Sequence, residues 1–341
     1  MVAPTSELEV GELGRTVVGP VDDVVGVAPV GGGGAAGFDA AAVADPQRPT
    51  QRRGHQPGPS AEVPRLRYVV VDLTEFEKVK GLLEGYRPDA VFHLAAQPSV
   101  ALSWEDPWDT YRVNLFGQLN IMESLKRLEV EASVHIACSS EEYGRASPEM
   151  MPLREGNRLD PCSHYAVSKV GQEALGLMYY QAFGWRVLVT RGFNQAGPGQ
   201  SPGFVISSFA RQIALIETGR VPPVIMVGNL EAQRDFTDVR DTVRAYRMVM
   251  EKGDPGGTYN VCSGVAVSVS EVLERLLACS GADIRVEQDP GRQRPSDIPL
   301  MVGDSTRLRD ETGWEPSIPL EQTLKDTLDY WRGRVEDTGA S

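Results

Sequence analysis

The sequence predicts an α/β protein: a doubly wound parallel sheet covered by helices on both faces, with a smaller mixed α/β substrate-binding lobe at its carboxyl-terminal side. Three observations predict it. From Arg65 to Arg191, strand-like runs alternate with helix-like segments, the order that gives a parallel sheet. The runs are apolar, as buried strands are, Ala90-Val91-Phe92-His93-Leu94-Ala95-Ala96 above all. Past Asn194 the alternation loosens and a smaller unit begins.

Residues 1–64 stand apart. Gly31-Gly32-Gly33-Gly34 and a proline-rich stretch from Asp45 to Pro59 leave neither helix nor strand periodicity, so this part reads as loop or disordered chain. Residues 65–192 then read as the sheet core. Strands are expected at Tyr68–Leu73, Ala90–Ala96, Ser133–Ser139 and Trp185–Arg191, with helices ending at Tyr86 and spanning Tyr111–Leu128 and Tyr165–Phe183. Residues 193–332 form the second lobe, with 234–261 returning to the core and 333–341 left as a tail. Here the pattern predicts helices over Phe204–Glu217, up to Met250, from Ser268 and from Leu320 to Trp331. Ser268 and Glu271 have capping-box spacing. Parallel sheets bind ligands at the carboxyl ends of their strands, and Asp72, Ala95, Ser139 and Asn194 lie at or just past such ends.

The totals narrow the function. A chain of 341 residues holds one large α/β unit or two lobes sharing a core. Its net charge of −13 argues against nucleic-acid and anionic-membrane partners, so an anionic ligand has to be held by local arginines. Four cysteines without a C-x-x-C and four scattered histidines offer no metal-ligand spacing. No secretory signal and no apolar run long enough for a bilayer is visible, and a reduced, cytoplasmic protein is the plain expectation.

The chemistry centres on Tyr165 and Lys169, four residues apart and so on one face of a helix. A phenol titrates near ~10, and a neighbouring ammonium is expected to bring it down toward working pH. Ser139, at the end of the preceding strand, is placed to hold a substrate oxygen. From the pair alone, a solvated lysine beside a half-buried tyrosine is the favoured description. Yet of ten tyrosines, only Tyr165 has a lysine four residues on.

His93-Leu94-Ala95-Ala96-Gln97, Asn114-x-x-Gly117, Ser139-x-Glu141-x-Tyr143-Gly144, Tyr165-x-x-x-Lys169, Arg191-Gly192-Phe193-Asn194 and Arg234-Asp235-Phe236 follow one another in a fixed order. Together they resemble the extended short-chain dehydrogenase/reductase family of nucleotide-sugar enzymes, over residues 66–332. The stretches Phe193–Gln200 with Val205, Val227–Ala232 and Arg294-Pro295-Ser296-Asp297 are similar to those of its GDP-4-keto-6-deoxy-D-mannose reductases. The resemblance implies a Rossmann-like core, NADP(H) with NAD(H) as the other option, and hydride delivery to the C4 ketone of a GDP-linked sugar. Tyr165 is then the proton donor, with Lys169 tuning it and holding the cofactor ribose and Ser139 binding the carbonyl. Gly34, Gly37, Asp72, Leu73, Leu94, Ala95, Ala96 and Asn114 line the cofactor. Asn194, Val205, Arg211, Arg234 and Arg294 line the substrate. Glu141 matches the acid of GDP-mannose 4,6-dehydratases and supports water elimination as an alternative. A cofactor-deficient, non-catalytic homologue is a third. The family further implies a homodimer through helices 111–128 and 165–183, although Leu119, Leu125, Leu175 and Met178 read equally as core.

The sequence departs from the family at its start. The expected Gly-rich turn finds Gly34, Gly37 and Phe38, but Ala40 replaces the last glycine. Pro46 and Pro49 fall in the expected first helix, where a proline costs ~3 kcal/mol. No second strand is legible before Pro64. Two accounts of residues 1–64 follow: a real but irregular cofactor loop, or a stretch that is not the family's usual amino terminus; the sharp break near residue 65 favours the second, with poor cofactor affinity as its consequence. Arg52 and Arg53 hint weakly at a cofactor 2′-phosphate.

Overall fold

In the computed structural model, the described residues are 16–19, 25–28, 67–289, 291 and 298–337. The first sheet contains β1 (Thr16–Gly19), β2 (Val25–Ala28), β3 (Arg67–Val70), β4 (Ala90–His93), β5 (Ser133–Ser139), β6 (Val187–Gly192) and, from later in the chain, β10 (Thr258–Val261). Its order is β10-β6-β5-β4-β1-β2-β3. β4, β5, β6 and β10 run parallel in a continuous ladder. Helices α1 (Phe76–Tyr86), α2 (Val100–Glu105), α3 (Pro107–Tyr111), α4 (Gly117–Arg127) and α5 (His164–Phe183) connect the strands.

The reading of residues 1–64 as loop throughout is overturned at β1 and β2. Both are short β-branched runs, Thr-Val-Val-Gly and Val-Gly-Val-Ala, which suit a pleated sheet but are too brief to reveal a period. The sheet is also not wholly parallel, because β1 lies antiparallel to both β2 and β4. With only five residues between them, β1 and β2 are too close in sequence to pair in parallel. Gly34, Gly37 and Arg294 lie outside the described residues.

The expected helix 111–128 is interrupted. Arg112–Phe116 forms a π-helical turn between α3 and α4, a local widening often found at functional sites. α5 is the best specified helix. Ser163 caps its start by accepting from Ala166 N–H at 3.0 Å, and Gly184, at φ +69, ends it by donating to Tyr180 O. A Cβ on Gly176 would strike Ile136 of β5, so that glycine sets how closely helix meets sheet. Val91, Val134, Ile136, Val187, Val189, Met122 and Leu125 form the core between sheet and helices.

The chain then passes through β7 (Asn194–Ala196), α6 (Val205–Glu217), β8 (Val224–Val227), β9 (Gln233–Asp238), α7 (Val239–Lys252), β11 (Ala266–Ser268), α8 (Val269–Ala278), β12 (Arg285–Gln288), β13 (Leu300–Met301), α9 (Thr306–Thr312) and α10 (Leu320–Asp337). α10 outruns its expected end at Trp331 and takes in part of the presumed tail. β9 pairs with β7, β11 and β13 in a second sheet, while β12 pairs with β8. Buried Asp235 of β9 accepts from the backbone N–H groups of Ser263, Gly264 and Gly303 and from the Ser263 hydroxyl. Ser268 accepts from Glu271 N–H at 3.0 Å, one half of the expected capping box, while the Glu271 carboxylate pairs with Arg275.

Candidate active site

β5 ends on Ser139, whose extended backbone leads straight into the 3-10 turn Ser140–Tyr143. The Ser139 hydroxyl accepts from Glu141 N–H at 3.2 Å, and its own N–H donates to the Glu142 carboxyl at 3.1 Å. The turn is thereby pinned at both ends of one residue. α5 delivers Tyr165 in its first turn and buried Lys169 one turn later. The Lys169 ammonium donates to Ala137 O at 2.8 Å and lies 5.8 Å from the centre of the Tyr165 ring. Ser139, Tyr165 and Lys169 thus meet at the carboxyl end of β5, as their spacing predicts.

The electrostatics differ from expectation. Burial pushes the Tyr165 phenol well above its ordinary value; a hydrogen bond with Ser139 eases the shift, and Glu141, Cys138 and Glu142 raise it again. Lys169 is lowered by its own burial, so it does not dominate the phenol as the sequence suggests. The phenol is a fully protonated acid at neutral pH. His93, at the end of β4, is held neutral by burial and then by Lys169 and His135, its value brought down to about 3.

Asn114 shows why the π turn matters. Its buried side chain accepts from Gln97 N–H at 2.7 Å and donates to Ser168 Oγ at 2.8 Å. Ser168 in turn donates to Tyr165 O at 2.7 Å. The loop after β4, which carries Ala95, Ala96 and half-buried Leu94, is thereby tied to the turn of α5 that bears the phenol. Asp72 folds back as a local turn, accepting from Thr74 N–H and hydroxyl at 2.9 and 2.8 Å. Leu73 is buried against Gly117, and its carbonyl accepts from Asn120 at 2.8 Å.

A nicotinamide cofactor fits this corner on one observation of the chain itself. Lys169 is a buried three-donor group with a single protein acceptor among the described residues, which leaves N–H groups for sugar hydroxyls beside Tyr165.

The substrate-side residues are more dispersed. Asn194 opens β7 opposite Phe236, and Val205 opens α6. Arg234 is half-buried on β9 and donates to Gln233 O at 2.9 Å. Arg211 is exposed and lies 5.9 Å over the Trp331 ring, on the α6–α10 face. Arg240 is paired with Asp238 and Asp326, each at 2.8 Å, rather than simply solvated.

Sequence reasoning gave no role to Glu142, Glu173 or Arg191. The Arg191 guanidinium clamps both Glu173 oxygens at 2.9 and 2.6 Å and donates to Tyr143 OH at 3.0 Å. The available signal was Glu173 itself, one helical turn beyond Lys169 on the same face.

Comparison with known proteins agrees with this geometry. A family model described as GDP-mannose 4,6 dehydratase matches residues 42–327. A GDP-6-deoxy-D-mannose reductase from Pseudomonas aeruginosa is 39% identical over 250 residues, covering 73% of this chain and 82% of that protein. The structure of RMD from Pseudomonas aeruginosa complexed with NADPH superposes with a TM-score of 0.74 at 36% identity, over 78% of this chain and 91% of that one. A UDP-glucose 4-epimerase from Thermotoga maritima with UDP-glucose gives a TM-score of 0.73 at 27% identity, over 80% and 86%. The chain therefore belongs to the GDP-mannose 4,6 dehydratase family, within the short-chain dehydrogenase/reductase enzymes of nucleotide sugars.

Proposed function

We propose that the protein reduces the C4 ketone of GDP-4-keto-6-deoxy-D-mannose to a GDP-6-deoxyhexose, with NADP(H) as cofactor. The observation that carries this reading is the meeting of Ser139, Tyr165 and Lys169 at one strand end, with the phenol kept protonated. The reduced nicotinamide supplies the hydride when bound. Ser139 donates its hydroxyl hydrogen to the ketone oxygen and orients it. Tyr165 gives its proton to the oxygen as alkoxide charge develops, and the nearby ammonium of Lys169 stabilises the phenolate left behind. Lys169, Asn114, the Leu94–Ala96 loop, Asp72 and Leu73 would hold the cofactor. Asn194, Val205 and Arg234 take the substrate, and Arg294 belongs with them by sequence. Arg211 faces outward and is the weakest member of this set.

The test is incubation with GDP-4-keto-6-deoxy-D-mannose and NADPH, following loss of nicotinamide absorbance and the sugar product. The second reading is the dehydratase, favoured by half-buried Glu141, whose charge acts on Tyr165. A 4-keto product from GDP-mannose without added reductant would replace the reductase reading with this one. Absence of cofactor binding in a titration would favour the non-catalytic homologue.

The same reading includes a homodimer through α4 and α5. Leu125 is core, but Phe116 on the π turn before α4 and Val167 and Met178 on α5 are exposed at 56%, 43% and 44%, an apolar surface a second copy would cover. Light scattering on the purified chain tests it, and a monomer at micromolar concentration refutes it.

A further inference from the structure

Beneath the catalytic turn lies a buried knot of charge that the proposed reduction does not itself use. Glu142 is fully buried and holds the Ser139 N–H through one carboxyl oxygen. Its other oxygen lies 3.4 Å from Arg191 Nε yet receives no hydrogen bond, because that N–H is directed to Glu173. Glu173 takes the guanidinium bidentately, and the Arg191 Nη1 group donates to Tyr143 OH and Glu155 O. One guanidinium therefore faces two carboxyls out of water. The Glu142 and Glu173 oxygens also lie within 4.8 Å of each other and of Cys138 Sγ. Two unscreened negative charges this close do not coexist, so one carboxyl keeps its proton. The one without a guanidinium donor is Glu142.

We infer that Glu142 is a positioning residue: as a neutral acid it shares its proton with Glu173 and holds the turn that presents the Ser139 hydroxyl to Tyr165. This rests on the reading of Ser139 and Tyr165 given above. The neighbours on every packed element fit. From β5, Cys138 is a neutral thiol, raised by burial. From α5, Tyr165 is a neutral phenol, and Lys169 donates to Ala137 O while its charge interacts with Glu142 and Cys138. From β6, Arg191 is spent on Glu173. Glu141, in the same turn, and Glu155 add negative charge nearby, and Tyr143 is neutral. Burial and then Glu173 raise the Glu142 carboxyl to about 8, against the pull of Arg191. Of this group, Glu142 is the one placed to change charge just above neutral pH. Its ionisation sets two carboxylates against one guanidinium and drives the turn off Glu173.

Two variants and one spectrum test this. Glu142→Gln keeps an acceptor for Ser139 N–H and a donor for Glu173 but has no charge to lose, whereas Glu142→Leu has neither. In reduction of the keto sugar at pH 7, Glu142→Gln should stay within about threefold of the unaltered protein in kcat. It should also lose the decline in kcat between about pH 7 and 9 that Glu142 imposes. Glu142→Leu should fall by about tenfold or more in kcat with little change in KM, the mark of misplaced groups rather than lost binding. Infrared difference spectra of the full chain against Glu142→Gln should contain the carbonyl band of a protonated carboxyl at pH 6, fading through about pH 8. Absence of that band overturns the inference. So does a Glu142→Gln pH profile that superimposes on the unaltered one, or a Glu142→Gln as impaired as Glu142→Leu. Should the protein fail to reduce the sugar at all, the proposed function falls, and the infrared band alone then decides whether Glu142 is a shared acid.

Discussion

The Lys169 ammonium donates to the carbonyl oxygen of Ala137 at 2.8 Å, bolting the helix that carries the phenol to the strand that carries Ser139. Lys169 is thus as much a joint as a charge. Lys169→Met should lower kcat by about 100-fold, since it removes the cation that stabilises the phenolate. KM for NADPH should rise as well, because the N–H groups that Ala137 leaves available to sugar hydroxyls go with it. Steady-state kinetics in both substrates separates the two effects, and an unchanged KM for NADPH would limit Lys169 to the proton.

Tyr165→Phe removes the proton and keeps the ring. Turnover should fall by about 10²- to 10⁴-fold, the range for a lost general acid. Binding of the GDP-sugar, measured by calorimetry, should hold within a few-fold. Retained turnover would displace Tyr165 from its role.

Acid should unfold the protein through two histidines. His93 and His135 are buried and neutral, with values brought from 6.5 down to about 3, first by burial. The unfolded chain binds protons that the fold refuses. The contribution is therefore whole above about pH 6.5 and is lost as pH falls toward about 3, at up to about 1.4 kcal/mol per unit for each group. Denaturant midpoints between pH 7 and 4 measure this slope. His135→Phe, set among Phe92 and Tyr246, should reduce it by roughly half.

Gly144 ends the catalytic turn at φ +56, and a Cβ there would collide with the backbone carbonyl of Asp160. Gly144→Ala should cost on the order of 2–4 kcal/mol and depress kcat with it, because the turn that is forced to move starts at Ser139. Thermal unfolding and kinetics on the same sample check both, and a neutral substitution would mean the turn relaxes freely.

What could be read in advance follows from range along the chain. β4, β5 and β6 are continuous apolar runs, and Tyr165 with Lys169 is a one-turn pair on a capped helix, so local pattern was enough. β1 and β2 have only four residues each amid glycine and proline, too few for a period. The rise of the Tyr165 phenol comes first from burial and then from Glu141, Cys138 and Glu142 of β5 and the turn after it, against the pull of Ser139, whereas helical spacing to Lys169 pointed the opposite way. Glu142, Glu173 and Arg191 come from a turn, a helix and a strand, and only the fold makes them neighbours. Arg211 sat beside a matched motif, yet its helix turns it outward onto Trp331.

Asp235 gathers Ser263, Gly264 and Gly303 onto a single buried carboxylate. Segments far apart in the chain are thus stitched at one point, and peeling any one of them away strands a charge without water. Ser263 and Gly264 directly follow β10 of the first sheet and Asp235 lies on β9 of the second, so this one carboxylate fastens the two sheets to each other.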